Sequence, residues 1–146
     1  MLKQDVEQLL RDGHTVEVPP QGTSMYPFLI EGRDRVVIAP WEGTARWGDV
    51  VLFRRVDGPL VLHRVVKVRP EGLSFVGDNQ REVEGPLPPA QMRGILVGYV
   101  RSGKRHTTAF LPYRVLTSLW LLALPLRPAV WKGLAWVRRR RRPSLP

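Results

Sequence analysis

The sequence predicts a mainly β protein with an antiparallel, barrel-like sheet, and three observations support this fold class. Six short segments alternate apolar and polar residues or are rich in β-branched residues. Turn-forming dipeptides and tripeptides, such as Asp-Gly at residues 57–58 and Pro-Glu-Gly at 70–72, separate them. The chain of 146 residues is long enough to bury the core of one domain. We therefore expect one β domain, with a short helix before it and an apolar helical segment after it.

The elements are predicted in order from the spacing of apolar residues. An amphipathic helix over residues 2–12 is indicated by apolar side chains at helical spacing, namely Leu2, Val6, Leu9 and Leu10. Gly13 is a typical stop for this helix. The predicted strands cover residues 16–18, 35–39, 49–54, 60–68, 73–76 and 95–100. Residues 77–89 are polar and rich in proline, so we expect a loop there.

Charge and composition divide the chain near residue 100. Residues 1–100 hold 12 Lys/Arg and 13 Asp/Glu, for a net charge of −1, whereas residues 101–146 hold 11 Lys/Arg and no acid. We therefore divide the chain into an N-terminal amphipathic helix (1–14), a β domain (15–106) and an apolar and basic tail (107–146). Cysteine is absent, which excludes disulfide bonds, thiol nucleophiles and cysteine-ligated metals.

Three residues in the β domain carry the side chains of a nucleophile, a base and an orienting group. Ser24 lies in the stretch Gly-Thr-Ser-Met-Tyr-Pro, where glycine permits a sharp turn and proline fixes the backbone. His63 lies in the fourth predicted strand, and Asp78 follows the fifth. Taken singly, His63 is typical of a histidine at a core edge and Asp78 of a turn residue. Together, a hydroxyl, an imidazole and a carboxylate are the parts of a serine relay.

Five blocks of the sequence, in order, resemble the signal peptidase I superfamily, which also includes the self-cleaving domains of SOS-type repressors. They are GTSMYPFL (22–29), DRV (34–36), GDVV (48–51), HRV (63–65) and GDN (77–79). The resemblance covers residues 16–100. Bacterial members commonly use a lysine base at the position of His63, so the histidine here is similar to the endoplasmic-reticulum and archaeal type.

The resemblance implies a serine endopeptidase with the fold of that superfamily, acting on a leader or precursor peptide. By that resemblance Ser24 is the nucleophile, His63 the general base and acid, and Asp78 the orienting carboxylate. The positions that it implies for oxyanion binding and loop support are Gly22, Thr23, Met25 and Pro27. Family members often carry a hydroxyl at the position of Gly22 as a second oxyanion donor, and Thr23 is the neighbouring hydroxyl in this chain.

Metal and cofactor chemistry is not indicated by the sequence. His14, His63 and His106 are scattered and lack cysteine partners, so no zinc motif is formed. No glycine-rich loop of the phosphate-cradling kind is present in the sequence either. We therefore expect neither a metal ion nor an organic cofactor to be required.

Other functions on the same scaffold remain open at this point. One is a dedicated maturation protease for a small cytoplasmic precursor peptide, and another is a non-catalytic β domain that binds a membrane or RNA. Self-cleavage within a repressor is disfavoured, because only about 15 residues precede the first predicted strand, too few for a helix-turn-helix domain. Since residues 2–12 lack the pattern of a leader or a membrane span, we expect a cytoplasmic protein peripheral to a membrane, with membrane anchoring as the alternative.

The tail predicts a second surface. Residues 115–126 are almost continuously apolar but too short to span a bilayer, for which about 20 residues are needed. An interfacial segment on anionic lipid is indicated by Trp120, Trp131 and Trp136, followed by Arg138, Arg139, Arg140, Arg141 and Arg142. The alternative is a helix packed on the domain, followed by a loose basic tail. Nucleic acid is an unlikely partner, since no base-reading module accompanies the arginines.

Overall fold

A computed structural model describes residues 3–141 of the chain, including all side chains in that range except those of residues 3–5, 131 and 141. Leu2 of the predicted first helix lies outside the described residues. The elements in chain order are α1 (Lys3–Arg11), β1 (Val16–Val18), β2 (Asp34–Pro40), β3 (Val50–Arg54), β4 (Leu60–Arg69), β5 (Gly72–Val76), β6 (Glu84–Leu87), β7 (Met92–Arg101), β8 (Lys104–Thr107), α2 (Leu111–Leu122) and α3 (Arg127–Arg141).

The strands form one antiparallel sheet in the order β1-β2-β7-β3-β4-β5-β6, and β8 pairs with β7 beside this path. The predicted mainly β, antiparallel class is therefore confirmed. The barrel-like form is not confirmed: β1 and β6 lie at opposite ends of the strand order and do not pair with each other within residues 3–141, so the sheet is not a closed barrel. Register shifts in the pairs β2–β7, β3–β7, β4–β5 and β5–β6 are of the kind that bends and twists a sheet locally.

The sheet is buried on both faces at β3, which has no exposed face. Val50 and Leu52 belong to one apolar cluster, and Val51 and Phe53 belong to the other, as the alternation of side chains along a strand requires. The first cluster is covered by α1, whose Leu10 is buried in it. The second cluster lies among β3, β4, β5 and β7, and Trp41 and Ala45 from the β2–β3 connection pack against it.

Two strands were not predicted. β6 lies within residues 77–89, where we expected only a loop, and β8 lies at the end of the predicted β domain. Gly85 and Pro86 give β6 a low intrinsic strand propensity, and its formation depends on pairing with β5. β8 consists of exposed polar residues, and it is fixed by a two-residue turn at Ser102 and Gly103, both with positive φ, that joins it to β7.

The C-terminal helices have two different faces. On one side of α2, Thr117 and Leu121 are buried against the domain. On the same side the Trp120 indole N–H donates a hydrogen bond of 2.7 Å to the Asp78 carbonyl oxygen. Trp120 is therefore half-buried on the domain, whereas the sequence placed it with the tryptophans of the predicted interfacial segment. No helix within residues 3–141 is both long enough and apolar enough to cross a membrane.

Candidate active site

Ser24 lies in a tight turn between β1 and β2. The Tyr26 N–H donates to the Thr23 carbonyl oxygen at 3.2 Å, and the Leu29 N–H donates to the Met25 carbonyl oxygen at 3.0 Å. Met25 and Leu29 are buried in the apolar cluster beneath α1. These two side chains anchor the turn. Ser24, which lies between the exposed Thr23 and the buried Met25, is half-buried.

The Ser24 turn is tied to the loop that follows β5. The Asn79 N–H donates a hydrogen bond of 2.8 Å to the Ser24 carbonyl oxygen. Gly77 passes so close to Ser24 that a Cβ at position 77 would lie 2.7 Å from the same oxygen. Residues 77–79, one of the blocks picked out from the sequence, therefore set the position of the Ser24 backbone.

Asp78 pairs with Arg64 rather than with His63. Arg64 Nε and Nη2 donate to the two carboxylate oxygens at 2.8 and 2.7 Å, and both side chains are almost completely buried. Although burial lowers the pKa of Arg64, the Asp78 carboxylate outweighs it and raises that pKa above its ordinary value. Arg64 therefore stays charged. The ion pair joins β4, next to His63, to the loop that holds the Ser24 turn, so the structure gives Asp78 a positioning contact in place of the expected bond to the imidazole.

The carboxylate in contact with His63 is that of Glu84 in β6. Glu84 Oε1 lies 3.5 Å from the His63 Nδ1 atom, and the same carboxylate accepts two hydrogen bonds from Arg55. Nδ1 has no hydrogen-bond partner within the described residues, so the 3.5 Å approach is an electrostatic contact. Burial lowers the pKa of His63 below its ordinary value, and the Glu84 charge opposes part of that effect. The imidazole is therefore neutral at neutral pH, the form that can accept a proton.

Ser24 and His63 line the same cavity, which has a volume of about 490 Å³. Gln80 and Arg55 also line it, and they add polar groups to the Ser24 and His63 side chains. The remaining wall is mostly aliphatic and includes Val18, Leu29, Val36, Ile38, Leu52 and Leu62. An apolar cavity with a few polar groups is the usual form of a binding site. Ser24, His63 and Gln80 come from the β1–β2 turn, β4 and the loop after β5, while β1, β2 and β3 supply much of the aliphatic wall.

The Ser24 N–H is a candidate oxyanion donor in addition to the positions named from the resemblance. Within residues 3–141, no acceptor takes a hydrogen bond from the Ser24 N–H. The Gly22 N–H is already used, since it donates to Glu31 Oε2 at 3.0 Å, and Pro27 has no N–H. Gln80 was not picked out from the sequence, yet it lines the same cavity as Ser24. A lone glutamine in a polar loop carries no sequence signal for this role.

Two tail residues also reach this loop, and the sequence did not indicate either contact. Arg127, at the start of α3, is almost completely buried and donates to the carbonyl oxygens of Gly77 and Gln80 at 3.0 and 2.7 Å. Its guanidinium lies 5.0 Å from the centre of the Trp120 ring. Burial lowers the pKa of Arg127. The loop after β5 is therefore held from one side by Arg64 and from the other by the C-terminal helices.

Within the described residues, no three His, Asp or Glu side chains come together in a way that could hold a metal ion. His14 and His106 are both exposed, and the His106 ring stacks on Tyr99 in β7 with 4.9 Å between the ring centres. Comparison with models of protein families, with curated proteins and with solved structures gives no match to this chain.

Proposed function

We propose that the protein is a serine endopeptidase of the signal-peptidase type, with Ser24 as nucleophile and His63 as general base. The observation that carries the proposal is that these two side chains, from a turn and from a strand far apart in the sequence, line one cavity with mostly aliphatic walls. The proposal includes the finer fold: the open antiparallel sheet is a form of the signal-peptidase sheet in which the edges β1 and β6 do not meet.

In the proposed reaction the Ser24 hydroxyl oxygen attacks the carbonyl carbon of the cleaved peptide bond, and the His63 imidazole takes the hydroxyl proton. The C–N bond then breaks, and His63 gives the proton to the leaving amine. A water molecule attacks the resulting acyl-serine ester, with His63 again accepting the proton. As the ester C–O bond breaks, His63 returns this proton to the Ser24 oxygen, which releases the second product as an acid and restores the Ser24 hydroxyl and the neutral imidazole.

Glu84, rather than Asp78, is proposed to act on the imidazole. A proton on Nδ1 faces the Glu84 carboxylate, which leaves the Nε2 lone pair free for the Ser24 proton. When His63 becomes an imidazolium, its charge is stabilised by Glu84 at 3.5 Å. Arg55 shares that carboxylate and weakens its stabilisation of the imidazolium charge. Glu84 is a positioning residue, because it acts through His63.

The developing oxyanion is proposed to be bound by the Ser24 N–H and by the Gln80 carboxamide. Preorganised donors of this kind supply a large share of the catalysis in serine hydrolases. The aliphatic wall of the cavity suits an extended peptide with apolar side chains next to the cleaved bond. A leader or precursor peptide is a substrate of that kind.

The proposal is tested by adding the purified protein to a protein extract and identifying new N-termini by mass spectrometry. Wild-type protein should create them, and Ser24→Ala and His63→Ala should not, because the parts of such a relay act as a unit. Ser118→Ala in α2 and His14→Ala on the surface are matched controls and should retain activity. Circular dichroism and thermal melting show whether each variant is folded.

The pattern of products distinguishes the alternatives. Cleavage of many precursors after a leader favours a general leader peptidase, and cleavage of one small precursor favours a dedicated maturation protease. If the wild-type protein cuts nothing in soluble and membrane extracts, or if Ser24→Ala cuts as well as wild type, the serine mechanism is wrong. The non-catalytic β domain is then the better description.

A further inference from the structure

Helix α2 carries a second apolar face that does not contact the domain. Five residues on it are each at least 48% exposed: Leu111, Val115, Leu116, Leu119 and Leu122. At 3.6 residues per turn these five positions fall on one side of the helix, opposite the buried Thr117 and Leu121. Packing on the domain uses only one side of α2, so the exposed apolar side is not explained by that packing.

The exposed apolar residues continue beyond α2. Leu126 is exposed between the helices, and on α3 the partly or fully exposed apolar residues are Val130, Leu134, Trp136 and Val137. Val130, Leu134 and Val137 recur at i, i+4 and i+7, which again places them on one side of a helix. Soluble monomers rarely expose so many large apolar side chains in succession, and such a surface marks an interaction site. We call the exposed apolar residues of α2 and α3, together with Leu126 between them, the tail surface.

Charge identifies the kind of partner. No acid lies between residues 101 and 146, while that segment holds 11 Lys/Arg. Arg138, Arg139 and Arg140 follow the apolar residues of α3 and are exposed, and the Arg140 guanidinium lies 4.3 Å from the centre of the Trp136 ring. The partner must therefore offer negative charge next to apolar material.

Three kinds of partner can be compared on these properties. A second copy of the chain would bring together two tails of the same charge, which repel each other. Nucleic acid matches the arginines but offers nothing to the exposed leucines and valines. An anionic bilayer offers phosphate headgroups above an acyl layer, and amphipathic helices with basic and aromatic residues bind it in the plane of the interface.

We propose that the tail surface docks on an anionic membrane surface, with α2 and α3 lying in the interface rather than crossing the bilayer. The apolar side chains of α2 and α3 enter the acyl boundary, and Arg138, Arg139 and Arg140 contact lipid phosphates. Trp136 lies at headgroup level, the position that tryptophan prefers. Trp120 is excluded from this surface because it packs on the Asp78 loop. The side chains of Trp131 and Arg141, and the whole of Arg142, lie outside the described residues, so the proposal does not use them.

The test is co-sedimentation of the full chain with vesicles of phosphatidylcholine alone and of phosphatidylcholine with about one third phosphatidylglycerol, from about 0.05 to 0.5 M salt. Anionic vesicles should bind at least about tenfold more protein at low salt, and binding should fall as salt rises. The double variant Leu116→Glu with Leu119→Glu should abolish binding. Val56→Glu is the control, because Val56 is a 77% exposed apolar residue outside the tail surface, and it should bind as wild type does.

A second variant keeps the proposal falsifiable if the first does not fold. Replacing Arg138, Arg139 and Arg140 by Gln changes only exposed side chains and should remove the preference for anionic vesicles. Equal, salt-independent binding to both vesicles would overturn the anionic partner. Absence of binding, with self-association that Leu116→Glu and Leu119→Glu disrupt, would assign the surface to a second copy instead. Loss of binding in the arginine variant alone, with RNA competing for the wild-type protein, would assign it to nucleic acid.

Discussion

Both carboxylate oxygens of Asp78 accept hydrogen bonds from Arg64, the residue that follows His63 in β4. The backbone on either side of Asp78 contacts the Ser24 turn through Gly77 and through the Asn79 N–H. A buried ion pair therefore fixes the distance between β4, which carries the proposed base, and the turn that carries the proposed nucleophile. Asp78 contributes to the site through this spacing and not through a bond to the imidazole.

The Asp78–Arg64 pair predicts a stability effect that a simple relay would not show. Asp78→Asn leaves the Arg64 charge buried without its partner, which should cost about 3–5 kcal/mol of unfolding free energy. If Asp78 only oriented the imidazole, Asp78→Asn would lower activity with little loss of stability. Urea unfolding of the variant measures the difference. Asp57→Asn, in an exposed turn with positive φ that asparagine tolerates, is the control and should change stability by less than about 0.5 kcal/mol.

A double variant identifies the origin of that effect. If the loss comes from the unpaired charge, Asp78→Leu combined with Arg64→Met should be more stable than either single variant. Additive losses in the double-mutant cycle would mean that the pair itself is not coupled, and the spacing argument would fail.

The pH dependence of activity should report on His63. Because burial lowers the pKa of His63 below its ordinary value of 6.5, kcat/KM should rise with pH at a midpoint below 6.5 and reach a plateau at neutral pH. The sign for stability is the same. The unfolded chain binds the proton at a higher pH than the folded chain, so the stability due to neutral His63 is complete above 6.5 and falls as pH drops from there toward the folded pKa.

Glu84 tunes this titration. Glu84→Gln removes the charge that raises the pKa of His63 and leaves the Arg55 charge, which lowers it. The acid limb of the activity profile should therefore move to still lower pH. Glu82→Gln, at an exposed carboxylate in the loop just before β6, should leave the acid limb unchanged. An unmoved limb in Glu84→Gln, or one moved to higher pH, would show that Glu84 does not act on His63.

Gly77 predicts a loss of activity through backbone displacement. In Gly77→Ala the new Cβ would lie 2.7 Å from the Ser24 carbonyl oxygen and 2.6 Å from Gln80 Oε1, so the Ser24 turn must shift. A shift of this size at a nucleophile should lower kcat/KM about 10- to 100-fold. Gly133→Ala in α3 meets nothing within 4 Å and is the matched control. Wild-type activity in Gly77→Ala would mean that the turn does not need its present position.

Gln80 predicts a loss confined to the chemical step. If its carboxamide binds the oxyanion, Gln80→Ala should lower kcat about 10²- to 10³-fold with little change in KM. Gln21→Ala is the control, since Gln21 is an exposed glutamine that lines the same cavity but is not proposed to bind the oxyanion. A rise in KM at unchanged kcat would instead assign Gln80 to binding of the substrate in its ground state.

Part of this arrangement could be predicted from the sequence. Alternation and turn residues predicted β1 to β5 and β7, because in these strands the burial pattern follows local composition. β6 could not be predicted, since its Gly-Pro sequence opposes a strand and only pairing with β5 creates it. The partner of His63 depends on β6: without that strand, Glu84 is one of several acids in a polar loop, and Asp78 is the more obvious choice.

The contacts of the tail could not be predicted either, because they too depend on tertiary packing. Arg127 and Trp120 are ordinary members of an apolar and basic segment when read locally. Their hydrogen bonds to backbone carbonyls of the Asp78 loop depend on how α2 and α3 turn back onto the sheet. Carbonyl acceptors carry no side-chain signature, so no pattern in residues 77–80 indicates that two side chains will bind them.

The contacts of Arg127 have a consequence for the order in which the protein becomes active during synthesis. A ribosome releases Ser24, His63 and Asp78 well before it releases Arg127, and chains fold from the N-terminus as they emerge. The nascent sheet therefore carries the proposed catalytic pair while the far side of its loop is still unsupported by Trp120 and Arg127. We expect peptide hydrolysis to begin only after α2 and the start of α3 have left the exit tunnel, so that a growing chain is inactive toward neighbouring nascent chains. Stalled ribosome complexes that expose the chain to residue 110 or to residue 130 would reveal this delay as a difference in cleavage of one added peptide.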